Sequence, residues 1–395
     1  MRGFWRNLRD LPGAMIPSAA LAGLVVVLVS YTGPVLIIIE GAKAAGLTQA
    51  ELASWLWALT VGSGVTSLLL SLWYRQPIIT AWSTAGVALL VTSLPHYGLG
   101  QAVGAYIVAS LAVTLVGMTR VFGRAMGLVP QPIALGMLTG VLVGFGLNLF
   151  KTLPDRPLMV MAMLGAFYGL RRLGFRAPSI GALAAGALVA WLSGDLHIPP
   201  IAPQLVIPVY TAPIFSPAAL LGLALPLFIL TMTSQNAPGF AVLRNAGYTT
   251  PVDGPIAFTG LISLLGAPFG GSGVNLAAIT AAICANPEAH PDATKRYAAG
   301  VATGVLYIIC GMYNTAALSL FSGFPRSLSA AVAGLALLGA IGSSLSGAMA
   351  EGATRDGALV ALLVTASGMS LLGIGAPFWG LVFGMAVYLA LRRRA

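Results

Sequence analysis

The stretch RQPIITAWSTAGV at residues 75–87 places an extended, proline-led segment directly before a helix, inside a long apolar region. Residues 77–82 are rich in β-branched side chains, which favour extended backbone. Ser83 and Thr84 are typical residues for capping a helix that continues from Ala85. A second stretch, GAPFGGSGVNL at residues 266–276, again leads through glycines to a candidate cap, Ser272. We therefore expect a helix to begin at each stretch, near the middle of a membrane-spanning segment.

The composition indicates that lipid surrounds most of the chain. Of its 395 residues, 58% are hydrophobic and 8% are charged, whereas soluble domains average about 25% charged residues. The 49 glycines fit the same environment, because small residues let membrane helices approach closely. Cys284 and Cys310 lie within apolar runs and are interpreted as small buried side chains, not as a disulfide or metal pair. We predict an all-α polytopic membrane protein without a cleavable signal peptide.

Fourteen apolar segments are candidate spans, of which the two interrupted ones are short. A proline-rich linker at 195–215 separates seven segments from seven. Halves with an odd number of spans have opposite orientations, as in inverted-topology repeats. The motifs SYTGP at 30–34 and SQNAP at 234–238 are short echoes of such a repeat. The predicted spans are 15–39, 52–74, 78–94, 100–121, 130–152, 157–171, 178–194, 216–243, 254–268, 272–286, 296–321, 328–349, 356–373 and 376–391.

The basic residues test this count through the positive-inside rule. With the N-terminus in the cytoplasm, 16 of the 20 Lys and Arg residues fall in inner loops. The other four, Lys43, Lys151, Arg156 and Arg326, fall in outer loops. A missed span would invert every later loop and remove this bias. The distribution predicts an even number of spans in a bacterial inner membrane, with both termini cytoplasmic, and it explains the net charge of +10 without nucleic acid.

A helix that begins inside a bilayer has backbone N–H groups without intrahelical partners. Each such group would cost several kcal/mol if it faced lipid, so it must face protein or a wet cavity. Two such helix ends brought together would carry partial positive charge, which suits a carboxylate or another anion. The alternative is that both interruptions are ordinary kinks, capped by their own serines and packed against neighbouring helices.

Other polar and aromatic side chains could complete a site. The polar cluster TMTSQN at 231–236 carries two neutral amides, which could bind a substrate or join helices by hydrogen bonds. Tyr31 and Thr32 occupy the corresponding place in the first half, and Trp82 lies beside the first interruption. Trp82 could contact an aromatic substrate, although most membrane tryptophans serve packing or the interface.

No Asp, Glu, His, Lys or Arg lies near the centre of a predicted span, and Glu40 and Glu351 at span ends are the nearest. The chain has no His/Cys metal spacing, nucleophile–base pair or phosphate-binding loop, which argues against an enzyme, an ATP-driven pump and a metal site. Glu40 is a candidate for proton coupling. The alternative is that it is a solvated acid facing a loop.

Three stretches resemble the benzoate–proton symporter family. They are AWSTAG at 81–86, TSQNAPG at 233–239 with VLR at 242–244, and residues 267–291, which contain APFGG, NLAAITAAI and PEAHP. The resemblance covers nearly the whole chain, and the last two stretches are long enough to be specific. One departure is Ala85, where a proline is expected after Trp-Ser-Thr.

The resemblance implies a seven-plus-seven inverted repeat similar to the uracil and sulfate-type transporters. Spans 1–4 (1–125) and 8–11 (196–325) would form a core domain, and spans 5–7 (126–195) and 12–14 (326–395) a gate domain. The substrate would sit between the broken spans 3 and 10. Uracil-type relatives place carboxylates in spans 8 and 10, where this chain has neutral amides, and this difference favours an anion. The candidate substrate-binding residues are Tyr31, Thr32, Trp82, Ser83, Thr84, Ala85, Gly86, Gln235, Asn236, Phe269, Gly271, Ser272, Gly273 and Asn275.

The implied function is proton-coupled uptake of benzoate or a related aromatic carboxylate by elevator-like alternating access, without a cofactor. The carboxylate would contact N–H groups at 83–86 and 272–275, and the ring would lie against Tyr31, Trp82 or Phe269. Two other functions stay open: an anion exchanger or channel for another organic or inorganic anion, and a membrane sensor without transport. The sequence also leaves open whether the protein is a homodimer.

Overall fold

The computed structural model describes residues 2–32, 34–121, 129–175, 178–197, 204–277, 279–372 and 374–391. Residues 198–203 of the predicted linker lie outside the described residues, as do Arg124, Arg176 and Arg392–Arg394 from the charge distribution. The chain is mostly helical, at 76%. Short strands interrupt the helices at the two places that the sequence singled out.

Helices lie in every predicted span. In the first half they are α1 (Arg2–Ala14), α2 (Pro17–Thr32), α3 (Pro34–Ala44), α4 (Gln49–Tyr74), α5 (Thr84–Ser93), α6 (Leu99–Thr119), α7 (Gln131–Lys151), α8 (Pro157–Arg172) and α9 (Pro178–Leu192). In the second half they are α10 (Pro217–Arg244), α11 (Asp253–Gly266), α12 (Ile279–Ala285), α13 (Tyr297–Met312), α14 (Asn314–Ser322), α15 (Arg326–Met349), α16 (Arg355–Ala366) and α17 (Ala376–Leu391). The strands are β1 (Thr80–Trp82), β2 (Val274–Leu276), β3 (Ser370–Leu371) and β4 (Ile374–Gly375).

Six helical segments within the described residues are long and apolar enough to cross a membrane on their own. They are the continuous segment Pro17–Ala44, α4, α6, α7, α10 and α15. A seventh results if α13 and α14, which are bent by 68° at Tyr313, form one span. The count of fourteen spans therefore remains a prediction.

The two interrupted segments meet each other. Strand β1 pairs antiparallel with β2, with Thr80 opposite Leu276 and Trp82 opposite Val274. Helix α5 begins at Thr84, one residue before the predicted start at Ala85. The prediction that Ser272 caps the second helix is wrong, because α12 begins only at Ile279. The residues between them continue as β2, which gains a hydrogen-bonded partner in β1 that the sequence alone did not reveal.

Corresponding helices of the two halves support these strands in the same way. Ser67 of α4 accepts a hydrogen bond from the Thr80 N–H (2.9 Å), and Ser263 of α11 accepts one from the Val274 N–H (2.7 Å). Three residues before each serine stands a glycine, Gly64 in α4 and Gly260 in α11. Each glycine lies at a close helix crossing. Strands β1 and β2 are therefore supported by equivalent serine and glycine residues in α4 and α11.

The helices pack in pairs. Helix α4 packs against α13, α6 against α11, and α7 against both α15 and α16. Trp55, Tyr106, Tyr297 and Tyr307 are among the largest fully buried side chains. Of the two cysteines, Cys284 is buried and Cys310 is partly buried, and both are free thiols.

The crossing of α4 and α13 depends on two glycines that face each other. A Cβ on Gly304 would lie 2.6 Å from the Leu68 Cβ and 2.7 Å from the Gly64 carbonyl oxygen. Both distances are shorter than van der Waals contact, so any side chain there would push the helices apart. Glycine thus permits a close approach that also brings the Ser67 face of α4 to β1.

We expect Gly304→Ala to destabilise the purified protein by about 1–3 kcal/mol, the usual cost of overpacking a closely packed contact. The measurement is the melting temperature in detergent, which should fall by several degrees. Gly165→Ala in α8 is the matched control, because nothing lies within 4 Å of a Cβ built there. Equal melting temperatures for the two variants would show that the α4–α13 crossing tolerates a wider spacing.

Candidate functional site

The candidate site is centred on β1 and β2, whose backbone groups are satisfied by side chains from the helices around them. Besides the Thr80 N–H, the Thr80 hydroxyl donates to the Ser63 carbonyl oxygen (2.9 Å) and lies within hydrogen-bond distance of the Ser67 and Thr66 hydroxyls. The Ser71 hydroxyl donates to the Ile78 carbonyl oxygen (3.2 Å). A row of hydroxyls on α4 therefore holds the extended segment before α5.

Two buried asparagines bond to the second interruption. The Leu276 N–H donates to Oδ1 of Asn236, which lies in a π-helical stretch of α10, Thr231–Asn236. With its amide oriented so that both of its groups are satisfied, Asn275 accepts from the Ser83 N–H and donates to the Leu276 carbonyl oxygen, each at 3.1 Å. Both side chains are at most 1% exposed. Asn236 and Asn275 thus help to hold together the two paired strands and the start of α5, which we call the break.

The first turn of α5 keeps unsatisfied donors. The Ser83 hydroxyl accepts from the Gly86 N–H (2.9 Å), which confirms the predicted cap, and the Ser83 carbonyl accepts from the Val87 N–H. Among the described residues, no hydrogen-bond partner is found for the N–H groups of Thr84 and Ala85. These two donors stand at the positive end of the helix dipole, where they suit an anion.

Gly86 brings this helix end close to α10. A Cβ on Gly86 would lie 3.1 Å from the Leu227 Cδ2, so a larger residue would crowd the contact. Helix α5 and strand β2 both also pack against the π-helical stretch of α10. The three segments that the sequence selected are therefore neighbours in the fold.

Gln235 belongs to that π-helical stretch and differs from its neighbour Asn236. Its side chain is half-buried, and its amide makes no hydrogen bond to a described residue. π-Helical turns often occur at functional sites, where they redirect side chains. Gln235 therefore offers a free neutral amide beside the break. The side chain of Thr32, the counterpart of Asn236 in the first half, lies outside what the structure describes.

Three aromatic rings lie together beside β1. Trp82 packs edge-on to Tyr31, with ring centroids 6.2 Å apart, and at a tilt to Tyr307, at 5.9 Å. Trp82 is 3% exposed and Tyr31 is half-buried. Tyr307 of α13 was missed by the sequence analysis; its only signal was a tyrosine in the middle of an apolar run. Its hydroxyl bonds to Ser30.

The residues before β2 form a separate group towards the start of α4. The Phe269 ring packs edge-on to Trp57 (5.8 Å) and Tyr210 (6.5 Å), and so does not join the Trp82 cluster. The Ser272 hydroxyl accepts from the Trp55 indole N–H (3.4 Å). Phe269 and Ser272 therefore contact residues near the start of α4.

The two predicted glycines next to Ser272 have backbone roles. Gly271 lies so close to α4 and α11 that a Cβ would be 2.9 Å from the Gly266 carbonyl oxygen and 3.1 Å from the Ala58 Cβ. Gly273 has φ of 120°, a conformation that favours glycine. Both residues let the chain turn into β2.

An apolar cavity of about 490 Å³ adjoins the polar cluster. It lies between α10 and α17, and Met232 and Thr233 of the π-helical stretch form part of its wall. Leu225, Phe228 and Ile229 of α10 and Phe378 and Leu381 of α17 also line it. The cavity has room for an aromatic ring, but Gln235 and the residues of β1, β2 and α5 are not part of its lining.

Glu40 lies in α3 and is half-buried. The part of the chain that the structure describes has no group of three His, Cys, Asp or Glu side chains placed to hold a metal ion. The groups around the break are neutral hydroxyls, amides, aromatic rings and backbone N–H donors. Such a set can bind and orient an anion.

Solved structures with the same fold belong to anion transporters. The structure of SLC26A9 matches with a TM-score of 0.64 over 97% of this chain and 67% of that chain, at 13% sequence identity. The transmembrane domain of a cyanobacterium bicarbonate transporter, BicA, matches with a TM-score of 0.59 over 96% of this chain and 98% of that chain, at 15% identity. At these identities the matches show a common fold, that of the SLC26-type transporters.

Sequence comparison identifies much nearer relatives. The inner membrane protein YdcO of Escherichia coli is 43% identical over 375 residues, covering 95% of this chain and 96% of YdcO. The benzoate membrane transport protein of Acinetobacter baylyi is 41% identical over 374 residues, covering 95% of each chain. A family model described as benzoate membrane transport protein matches residues 13–390. The chain therefore belongs to the benzoate membrane transport protein family, a family of membrane transporters.

Proposed function

We propose that this protein takes up benzoate or a related aromatic carboxylate together with protons across the bacterial inner membrane, with both termini in the cytoplasm. The family membership and the benzoate transporter of Acinetobacter baylyi support the substrate class. The observation that carries the site is the first turn of α5, where two N–H donors without described partners stand next to an aromatic cluster. The N–H donors suit the carboxylate of the substrate, and the aromatic cluster suits its ring.

In this proposal the carboxylate accepts hydrogen bonds from the Thr84 and Ala85 N–H groups and from the Gln235 amide. The ring lies against Tyr31, with Trp82 packed behind it. No fixed negative charge opposes the ligand, because the side chains at the break are neutral. Asn236 and Asn275 contribute indirectly by holding β2 and the Ser83 N–H in place. The chain before β2 forms the opposite side of the proposed site, through Phe269, Gly271, Ser272 and Gly273.

Alternating access would result from movement between two packed groups of helices. We propose two inverted repeats of seven spans, with a core domain of residues 1–125 and 196–325 and a gate domain of residues 126–195 and 326–395. The strong pairing of α4 with α13 and α6 with α11, separate from that of α7 with α15 and α16, supports this division. An elevator-like displacement of the core would carry the break, and the bound anion, past the gate.

A proton-independent anion exchanger is the second candidate. It is favoured by the absence of an ionisable side chain among the described residues of the break. Glu40 in α3 is then a solvated acid, whereas proton symport gives it a role in coupling. Transport measurements with and without a proton gradient separate the two candidates.

We expect purified protein in liposomes to accumulate labelled benzoate when the outside is more acidic than the inside. Both pH values should be high enough to keep the substrate ionised, since neutral benzoic acid crosses lipid by itself. Protein-free liposomes provide the background. Uptake that persists unchanged after the gradient is collapsed, or that appears only with a counter-anion inside, would replace symport by exchange.

We expect Gln235→Glu to weaken benzoate binding by at least about 10-fold, because like charges about 4 Å apart repel strongly near a protein surface. Gln235→Leu should weaken it by roughly 2–10-fold, the value of one hydrogen bond. Both are measured as the dissociation constant of the purified protein. Gln101→Glu, at the start of α6, adds the same charge elsewhere and should leave binding unchanged. Unaltered binding by Gln235→Glu would move the carboxylate site away from α10.

We expect Tyr31→Leu to reduce the affinity for benzoate by about 3–10-fold, because a pair of aromatic rings contributes about 0.5–1.5 kcal/mol beyond area burial. The same substitution should reduce the affinity for cyclohexanecarboxylate less, because this ligand has the same charge but no aromatic ring. Tyr210→Leu removes a tyrosine from the Phe269 group and is the matched control. If Tyr210→Leu had the larger effect, the ring would bind on the Phe269 side.

A further inference from the structure

Helix α1 (Arg2–Ala14) precedes the first predicted span and was not anticipated from the sequence. At 100° per residue its side chains divide into three adjacent sectors. Asn7, Leu11 and Ala14 form one sector, and Leu8 and Trp5 form the next. The third sector carries Arg6 and Arg9. Each sector has a different environment in the structure.

The first sector attaches α1 to the ends of α4 and α13. Asn7 is 3% exposed; its Nδ2 donates to the Leu72 carbonyl oxygen (2.7 Å) and its Oδ1 accepts from Arg75 (2.9 Å). The Tyr297 hydroxyl donates to the Asn7 carbonyl oxygen (3.0 Å). Arg75 also pairs with Asp10 at 2.7 Å. The orientation of α1 on the protein is therefore fixed.

The second sector is apolar and uncovered. Trp5 is 63% exposed and Leu8 is 39% exposed. The Phe4 ring lies 5.7 Å from that of Trp5 and 6.2 Å from that of Trp73, which is itself 58% exposed near the end of α4. Two exposed tryptophans at one level of the molecule are typical of the boundary between hydrocarbon and water. The apolar surface of α1 is thus continuous with that of a membrane-spanning helix.

The third sector is cationic. Arg6 and Arg9 are exposed, and neither makes an ion pair with a described residue. Asp10 also attracts Arg6 and Arg9, but its carboxylate is bonded to Arg75, whose hydrogen bond is the main cause that lowers the pKa of Asp10. One carboxylate shared by three arginines leaves this surface with net positive charge. An apolar sector flanked by free arginines is the pattern of a helix that lies in a membrane interface.

We propose that α1 lies along the membrane surface and binds anionic phospholipid, with Trp5 and Leu8 among the acyl chains and Arg6 and Arg9 at the headgroups. Lipid fits better than an acidic protein, because Phe4 joins the apolar sector to the exposed Trp73 of α4, a helix long and apolar enough to cross a membrane. Arg75, which anchors α1, also ends α4 directly before the first interrupted segment. The lipid contact is independent of which substrate is transported.

The test uses the full chain in vesicles of phosphatidylcholine, with or without phosphatidylglycerol in both leaflets. The fluorescence of Trp5 is obtained as the difference between the protein and its Trp5→Phe variant. We expect lipids brominated near the headgroup end of their chains to quench this signal, and aqueous iodide to quench it little. A Trp5 signal that iodide quenches and bromine does not, in both kinds of vesicle, would place α1 in water and overturn the proposal.

The headgroup contact is tested with Arg6→Gln/Arg9→Gln. Each arginine near an anionic surface changes binding by roughly 5-fold, so phosphatidylglycerol should stabilise the wild-type protein in detergent more than phosphatidylcholine does. The double variant should lose at least half of that difference in melting temperature. Arg171→Gln/Arg172→Gln, which removes two exposed charges from the end of α8, is the control. An equal loss in the control would show that the lipid effect is not specific to α1.

Discussion

Satisfying backbone hydrogen bonds inside an apolar interior is the constraint on which this structure depends. Strands β1 and β2 leave the helical pattern where lipid offers no partner for a free N–H or carbonyl. Each strand therefore pairs with the other, and its outer edge is bonded by Ser67, Ser263 or Asn236. Losing one of these partners leaves a buried donor unsatisfied, at a cost of about 1–3 kcal/mol. The interruptions are thus possible only because the two halves of the chain meet.

That arrangement separates groups that hold the break from groups that can act on a ligand. Asn236, Asn275 and the Ser83 hydroxyl are committed to backbone groups of the chain. Three other groups are not committed in this way: the free N–H donors at the start of α5, the amide of Gln235 and the ring of Tyr31. A neutral site with donors at a helix N-terminus binds an anion through fixed dipoles, which need no change in protonation of the protein. In the proposed symport, the proton must therefore be held elsewhere or by the substrate.

The close packing of the supporting helices depends on small residues. Gly64 and Gly304 allow α4 and α13 to approach until backbone touches backbone, and Gly260 does the same between α11 and α6. These crossings place Ser67 and Ser263 at their strands. On the opposite side from the Phe269 group, Asn7 and Arg75 fasten α1 to the ends of α4 and α13. Arg75 thus links α1 to the segment that leads from α4 into β1.

The sequence by itself determined that the chain is a helical membrane protein, that it resembles a family of benzoate transporters, and that two segments are interrupted. Those features are local or compositional: apolar length, charge placement, proline and glycine, and the Ser83 cap. Only the tertiary structure decided that Val274–Leu276 is a strand rather than the first turn of a helix, since its partner Thr80–Trp82 lies almost two hundred residues away in the chain. The role of Tyr307 and the bonds of Asn236 and Asn275 escaped prediction because their partners are also distant in the chain. Helix α1 escaped because its apolar residues form one exposed sector only once Asn7 fixes the rotation of the helix. Periodicity and composition report on neighbours along the chain, whereas hydrogen-bond partners across the fold depend on how the helices pack.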